Sequence, residues 1–275
     1  MVTTEQASKL ICNIQGSVGS VAKVDYLHEG LALGLTGTIE KNSQLLGRNA
    51  VWTKIQRISK LPKYICIQFM RFFWKATPEC RDHPNGVKCK IVRPVSFSQT
   101  FDVYDFCTEA VKAELRQNRL ADEKVANERF YKKRALDFEE ESEAAPGVSV
   151  GAVAASQSVE EDEDEAALKA ALAMSIGAEP PTTVFSTQSR PACFNQGVPN
   201  DFSGTYELFG VVTHKGRDAD SGHYIGWVRQ AEGSDLWWKY DDETVTEVNT
   251  AEILELKGGR DIAYLNFYRC LSKQN

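Results

Sequence analysis

The feature that most limits the fold of this chain is an acidic, low-complexity stretch at residues 139–200. Its segments EEESEAAPGVSVGAVAASQSVEEDEDE and GAEPPTTVFSTQSRPACFNQGVPN are rich in small, polar and proline residues. Between Asp137 and Glu165 the chain has eleven acidic residues and no basic residue. Such sequences bury too little apolar surface to offset the entropy that is lost on ordering. We therefore predict a mostly disordered insert at 139–200 that separates residues 1–138 from residues 201–275, two parts of one folded unit.

Composition narrows the class of protein. The chain has 275 residues, of which 42% are hydrophobic, enough for a sizeable core. It has no run of about 18 apolar residues and no secretory signal at its start, so we expect no contact with a membrane. Seven cysteines, an odd number, do not suggest a disulfide scaffold, and we expect a cytoplasmic or nuclear protein. The excess of basic residues outside the insert is too small to indicate a nucleic-acid partner.

Sequence patterns predict mostly β structure in both flanking parts. The run KYICIQFMRFFWK, residues 63–75, is rich in β-branched and aromatic residues and predicts one buried central strand. VKCKIVRPVSF predicts a more exposed strand region broken at Pro94, and a helix follows with Thr108 as its N-cap. Further strands are predicted in TYELFGVVTHKG, GHYIGWVRQ, LWWKYDDETV and DIAYLNFYRC, and a short helix in TAEILELKGG. The expected class is α+β with an antiparallel sheet.

Two of these strands form a predicted hairpin that brings a histidine to a carboxylate. GHYIGWVRQ and LWWKYDD are joined by the short segment AEGSD. A turn centred near Glu232 places His223 opposite Asp241 and Trp227 opposite Trp237, whereas a register shift of one residue brings Asp242 to the histidine instead. Opposed Cβ atoms lie about 5 Å apart, close enough for a carboxylate to bond an imidazole nitrogen.

A histidine–aspartate pair is the base half of a nucleophilic triad. The carboxylate fixes the tautomer of the ring and leaves the other ring nitrogen to activate a nucleophile. Gly222, which precedes the histidine, allows a substrate backbone to come close. The alternative is a half-buried His223 that bonds a neighbouring aspartate for structural reasons only.

The segment GVVTHKGRDADSGHYIGWVR, followed by WWKYDDETVTEV and DIAYLNFYRC, resembles the histidine box of the ubiquitin-specific proteases. ISKLPKYICIQFMRFFW is similar to a strand of the same family, and both segments are similar to its proteasome-associated branch. The resemblance implies the C-terminal part of a papain-like cysteine protease domain, with His223 as general base and Asp241 as its orienting carboxylate. Asp242 matches the second acidic position of the family.

The same resemblance implies where substrate binds. Gly222 and Tyr224 are expected to line the channel for the Gly-Gly tail of ubiquitin, and Trp227 is assigned to substrate binding with them. The segment THKGRDADSG, residues 213–222, matches a loop that covers the cleft in the proteasome-associated branch. The implied partners are ubiquitin, ubiquitinated proteins and the proteasome regulatory particle.

The nucleophile of the family lies in a box, Asn-x-Gly-Asn-Thr-Cys, that this sequence does not contain. Cys12, in KLICNIQG, lacks the helix-opening context that lowers a thiol pKa. We therefore expect a chain that lacks its nucleophile and is inactive as an isopeptidase. Both a fragment of a longer protein and a short non-catalytic product fit this expectation.

Within the insert, EDEDEAALKAALAMSIG predicts one helix, at residues 164–177, with acids at its start that complement the helix dipole. Leu168, Ala171, Leu172 and Ser175 recur at helical spacing, and the pattern resembles a ubiquitin-interacting motif. The alternative is a short alanine-rich helix exposed to solvent.

No cofactor or metal is predicted. Cys80, His83 and Cys89 in CRDHPNGVKC are three candidate zinc ligands at an unusual spacing, with no complementary pair. The expected function is a cysteine-type deubiquitinase. The alternative is a non-catalytic ubiquitin-binding module that uses the sheet and the helix at 164–177.

Overall fold

The computed structural model describes residues 2–15, 23–76, 85–143, 191–216, 221–259 and 261–271, with the backbone alone for 135–143. Some predictions lie outside the described residues: the helix at 164–177 with Leu168, Ala171, Leu172 and Ser175, and the candidate ligands Cys80 and His83. The chain divides into two compact units, one formed by Met1–Ala121 with Pro191–Asn275 and the other by Asp122–Arg190. No helix within the described ranges is long and apolar enough to cross a membrane.

The described strands are β1 (Leu10–Cys12), β2 (Thr36–Ser43), β3 (Arg48–Ile55), β4 (Tyr64–Phe69), β5 (Phe72–Lys75), β6 (Val87–Lys90), β7 (Thr100–Asp102), β8 (Thr205–Lys215), β9 (His223–Arg229), β10 (Leu236–Asp241), β11 (Thr244–Asn249) and β12 (Asp261–Cys270). The α-helices are α1 (Leu27–Gly34), α2 (Glu109–Glu143) and α3 (Thr250–Glu255). As predicted, α2 begins directly after Thr108.

One eight-stranded sheet organises the larger unit. Its order is β1–β4–β12–β8–β9–β10–β11, with β7 paired to β8 outside this path. Neighbouring strands are antiparallel except β1 and β4, which are parallel. Side chains alternate along β4, so that Ile65, Ile67 and Phe69 are buried. The same core contains Leu27 and Leu31 of α1, Val111 and Leu115 of α2, and Ile253 of α3. The expected α+β class is confirmed.

The prediction of a single strand over residues 63–75 is wrong, because the β structure is interrupted at Arg71, between β4 and β5. The Arg71 side chain is fully buried and donates hydrogen bonds to the carbonyl oxygens of Ala263, Ile91, Arg93 and Lys257. Burial lowers its pKa to about 10. After this break, β5 leaves the main sheet and pairs with β6 in a separate hairpin.

Two further hairpins differ from the predicted elements. LWWKYDDETV, predicted as one strand, forms β10 and β11 with a turn between them, where Asp242 has a φ of 52°. Asp is one of the few residues other than glycine that adopt this left-handed conformation readily. The hairpin of β2 and β3 was not predicted at all, since its strands are mostly exposed and lack a regular apolar alternation.

The predicted insert is too long at its C-terminal end. Residues 191–200 belong to the larger unit, and Phe194 and Val198 are buried in its core. The backbone of Leu61 bonds both Cys193 and Asn195 at 2.8 Å, which fixes this segment against residues of the N-terminal part. Two apolar side chains and these backbone bonds order a stretch whose composition alone suggests disorder. At its other end, residues 139–143 of the predicted insert belong to α2, and residues 144–190 lie outside the described ranges.

Candidate active site

The hairpin of β9 and β10 carries the predicted site residues, in a register different from the predicted one. Trp227 lies opposite Lys239 and Gly226 opposite Tyr240, so the register is shifted by two residues, and the predicted pairing of Trp227 with Trp237 is wrong. The turn centres on Gly233, whose φ of 71° favours glycine, instead of on Glu232. The backbone of Gly233 also donates to a side-chain oxygen of Glu207 at 2.9 Å, which fixes the turn in this position.

His223 and Asp241 nevertheless come together. Nε2 of His223 lies 2.6 Å from Oδ1 of Asp241, across the hairpin and on the same face of the sheet. The pair is diagonal, a separation that side chains of this length can bridge. Asp242 is the more distant acid, with Oδ2 at 3.8 Å from the same nitrogen and 81% of its side chain exposed. The side chains of His223 and Asp241 are 34% and 28% exposed, so the pair is accessible from solvent.

Electrostatics hold the Asp241 carboxylate in its ionised form. The hydrogen bond from His223 lowers the pKa of Asp241, and the Lys239 ammonium, 3.5 Å from Oδ2, lowers it further. Lys239 is itself placed above the ring of Trp227, with its Nζ 5.2 Å from the ring centroid. Nδ1 of His223 has no hydrogen-bond partner among the residues that the structure describes. The arrangement therefore orients one ring nitrogen and leaves the other to meet a substrate or a nucleophile.

The other predicted substrate-binding residues occupy different environments. Tyr224 is 52% exposed but points to the face of the sheet opposite His223, since side chains of adjacent strand residues alternate. Trp227 is only 5% exposed and donates from Nε1 to the Thr213 hydroxyl at 3.0 Å. A buried indole offers no surface to a substrate, so the structure places Trp227 in the core, below the Lys239 ammonium.

Gly222 is required by its surroundings as well as by its backbone. Its φ is 140°, and a Cβ there would lie 2.4 Å from Nε2 of His214 and 2.7 Å from the carbonyl oxygen of Lys215. His214, on β8, is 98% buried behind this glycine, and its ring packs against that of Tyr224 at 4.9 Å. Its position was not predicted, although the pairing of His214 with Tyr224 in the sheet follows directly from a hairpin of β8 and β9.

No hydrogen bond joins His223 to a cysteine among the described residues, and Cys12 is far from it. At about 4.8 Å per strand, Cys12 on β1 lies about 19 Å from β9, because β4, β12 and β8 intervene. Cys12 is fully buried, and burial raises its pKa to about 12, the reverse of what an attacking thiol needs. Burial also raises the thiol pKa of four other cysteines, Cys66, Cys107, Cys193 and Cys270.

The site has three side chains that could together bind a divalent metal. One ligand atom each from His223, Asp241 and Asp242 lies within 4.8 Å of the others. The hydrogen bond between His223 and Asp241 occupies two of these atoms, and Lys239 competes for the Asp241 carboxylate. The donors are thus already engaged with one another, which fits a proton-transfer pair better than a metal centre.

Nearly the whole chain is similar to known proteins. The sequence profile described as "Ubiquitin carboxyl-terminal hydrolase" matches residues 2–268. Ubiquitin carboxyl-terminal hydrolase 7 of Arabidopsis thaliana is 33% identical over 268 residues, which are 97% of this chain and 47% of that protein. Ubiquitin carboxyl-terminal hydrolase 6 of Schizosaccharomyces pombe is 33% identical, over 89% of this chain and 46% of its own length. Ubiquitin carboxyl-terminal hydrolase 14 of Caenorhabditis elegans is 29% identical, over 96% of this chain and 44% of its own length. The chain spans about half the length of the curated relatives it matches.

Two solved structures cover 96% of this chain. A structure of the yeast SAGA DUB module aligns with a TM-score of 0.45 at 17% identity, over 35% of that chain. A structure of the SAGA DUB module bound to ubiquitin aldehyde aligns with a TM-score of 0.47 at 17% identity, over 36% of that chain.

Proposed function

Because the chain belongs to the ubiquitin carboxyl-terminal hydrolase family, we propose that it provides the base half of a cysteine-type deubiquitinase acting on ubiquitin conjugates. Its α+β fold is that of the papain-like protease domain of this family. The observation that carries the proposal is the contact of 2.6 Å between His223 and Asp241 in a partly exposed position. In this proposal His223 is the general base and Asp241 is the carboxylate that orients it.

The chemistry follows from the two ring nitrogens. Asp241 holds Nε2, so Nδ1 removes the proton of a cysteine thiol and becomes part of an imidazolium. The thiolate attacks the carbonyl carbon of the last glycine of ubiquitin, and the imidazolium gives its proton to the leaving amine. Water, deprotonated by the same histidine, then hydrolyses the thioester and restores the thiol. Asp242, at 3.8 Å, adds negative charge that stabilises the imidazolium.

The proposed reaction needs a thiolate that the described residues do not bring to His223. Its base half is assembled, whereas each of the five cysteines named above has a raised pKa. We therefore propose that this chain alone hydrolyses no ubiquitin ester or amide. A nucleophile supplied beside Nδ1 would restore turnover.

A chimera tests the roles of the pair. The chain is fused to the part of the Arabidopsis relative that lies outside the matched region, and hydrolysis of a fluorogenic ubiquitin C-terminal substrate is measured. We expect turnover from the chimera and a loss of about a thousandfold in kcat/KM for His223→Ala, within the range of general-base catalysis. His28→Ala, at an exposed histidine of α1, is the matched control and should retain turnover. An active His223→Ala chimera would refute the assignment.

The second candidate function is non-catalytic binding of ubiquitin by the sheet and the helix predicted at 164–177. One face of β9, β10 and β11 exposes a row of apolar side chains: Val228, Trp238, Tyr240 and Val245. Exposed apolar groups in one row are typical of protein-binding surfaces. This candidate predicts that the chain binds ubiquitin with an affinity that falls in Trp238→Ala, while every chimera remains inactive.

We also propose association with the proteasome regulatory particle, in the cytoplasm or nucleus. The support is the sequence similarity to the proteasome-associated branch of the family. Affinity purification of the tagged chain under native conditions tests it. Recovery of regulatory-particle subunits is the expected result, and their absence at low salt would contradict the proposal.

A further inference from the structure

Two side chains hold the backbone where β8 ends and where β9 begins at His223: Lys90 of β6 and His214 of β8. His223 is the first residue of β9 and pairs with Lys215, the last residue of β8. Its backbone direction is therefore set by the way Gly222 enters the strand. Gly216 and Gly222 both have left-handed φ values, 130° and 140°, and a Cβ on Gly216 would lie 3.1 Å from the α-carbon of Gly222. Gly216, after the end of β8, and Gly222, before the start of β9, are therefore in close contact.

Lys90 fixes the β8 side of this contact. Its Nζ donates to the carbonyl oxygen of His214 at 2.7 Å and to that of Gly216 at 2.8 Å. A single ammonium therefore binds two carbonyls that lie two residues apart. Burial lowers the pKa of Lys90, with the charge of Arg71 acting in the same direction. An ammonium that is partly withdrawn from water depends on these two carbonyls for its hydrogen bonds.

His214 fixes the β9 side. Its ring hydrogen-bonds the backbone of Ser221. Since Nδ1 is buried without a partner in the described structure, the bonded atom is Nε2, which is also the atom nearest to Gly222. Phe72 of β5 meets the ring edge to face at 5.2 Å and Tyr224 meets it at 4.9 Å. The ring cannot turn without disturbing both aromatic neighbours.

We propose that Lys90 and His214 are positioning residues that set the orientation of His223 through Gly216 and Gly222. The inference rests on the proposed function, in which His223 is the base. It adds that the hairpin of β5 and β6 helps to hold the active histidine through Lys90. Removing the Lys90 amine releases the Gly216 carbonyl, loosens the contact with Gly222 and weakens the bond from His223 to Asp241.

The test observes His223 directly and does not depend on turnover. The full chain is labelled with ¹⁵N-histidine, and exchange of the His223 Nε2 proton with water is measured by NMR. In Lys90→Met we expect this exchange to accelerate about tenfold, the change expected when a charge-assisted hydrogen bond is largely lost. Lys90→Arg, which keeps the charge and two donors, should restore slow exchange. Lys75→Met, at an exposed lysine of the same hairpin, is the matched control and should behave as the unaltered chain.

The outcomes separate positioning from stability alone. A folded Lys90→Met chain with unchanged exchange at His223 would overturn the proposal, even if its melting temperature were lower. Should Lys90→Met fail to fold, Gly216→Ala carries the same test, because its Cβ presses on the α-carbon of Gly222. An inactive chimera combined with accelerated exchange in Lys90→Met would refute the proposed function and leave the positioning role intact.

Discussion

At the scale of single residues, one carboxylate determines how the His223 ring is presented. Asp241 accepts from Nε2 at 2.6 Å, whereas Asp242 is 3.8 Å away and mostly exposed. The two acids are adjacent in the sequence, so the pattern alone leaves both as candidates. The turn distinguishes them, because Asp242 occupies its left-handed position, outside β10, whereas Asp241 is the last residue of that strand.

We expect Asp241→Asn to reduce kcat/KM of the chimera by about a hundredfold or more, because the amide no longer stabilises the imidazolium. Asp242→Asn should reduce it by less than about tenfold, since its carboxylate is exposed and not hydrogen-bonded to the ring. Both variants are compared with the unaltered chimera using the fluorogenic substrate. Equal losses in the two variants would contradict the unequal roles.

Gly222 offers a second prediction at this scale. Gly222→Ala combines a left-handed φ with a clash against His214, and should destabilise the chain by about 2–4 kcal/mol. Gly233→Ala is the matched control: its φ is 71° but nothing lies within 4 Å of the added Cβ, so it should cost only about 1 kcal/mol. Urea unfolding measures both. Equal free energies of unfolding would show that backbone conformation alone, and not contact with His214, explains Gly222.

At the scale of the elements, apolar patterns predicted where β structure lies better than where strands begin and pair. The run at 63–75 is uniformly apolar and aromatic, and nothing in it marks the break that the buried Arg71 imposes. The hairpin register depends on the φ of Gly233 and on its bond to Glu207 of β8, a tertiary contact that the local sequence does not reveal. The contact of His223 with Asp241 was predicted correctly despite the wrong register, because a shift of two residues keeps both side chains on one face.

The helix predicted at 164–177 stays a prediction, and it can be tested by titration of the full chain with ubiquitin. Ala171→Arg should weaken binding about tenfold, because a long side chain at a contact position prevents close approach of the apolar surfaces. Ala170→Arg lies on the other side of the same predicted helix and is the matched control. Equal NMR titration curves for the two variants would contradict the ubiquitin-interacting motif.

At the scale of the whole molecule, composition separated two ordered parts from a distinct middle segment, but not at the correct residue. Phe194 and Val198 are single apolar residues in a polar stretch, and only their packing in the core of the folded unit explains why they are buried. His214 and Lys90, 124 residues apart, illustrate the same limit for the site. Lys90 reaches His214 from the separate hairpin of β5 and β6, and no periodicity in the sequence predicts such a contact.

The stability of the molecule should depend on pH through His214. Burial, followed by the charge of Lys90, lowers the pKa of His214 from 6.5, while Asp261 and the bond to Ser221 act in the opposite direction. Tyr224 and Phe72 also face the ring but carry no charge at these pH values. The unfolded chain then binds a proton more readily than the folded chain, so the free energy of unfolding falls as pH drops below about 6.5.

Urea unfolding at pH 7 and pH 5 measures this dependence. We expect the loss of stability between the two values to be smaller in His214→Gln, which cannot take up the proton, and unchanged in His28→Gln. The lowered pKa of Asp241 adds a loss only at lower pH, below its ordinary value of 3.8. An identical decrease in His214→Gln and in the unaltered chain would assign the effect to other groups.

The position of β12 has a consequence for synthesis on the ribosome. This strand, Asp261–Cys270, lies between β4 and β8 and pairs with both, joining residues about 200 positions apart. Until it leaves the exit tunnel, both neighbouring strands have an open edge and lack the partner that separates them. Nascent chains of this protein therefore carry the unpaired edge of β4 from early in translation and that of β8 as well once it is made. Unpaired β edges are the condition in which chaperones are most needed.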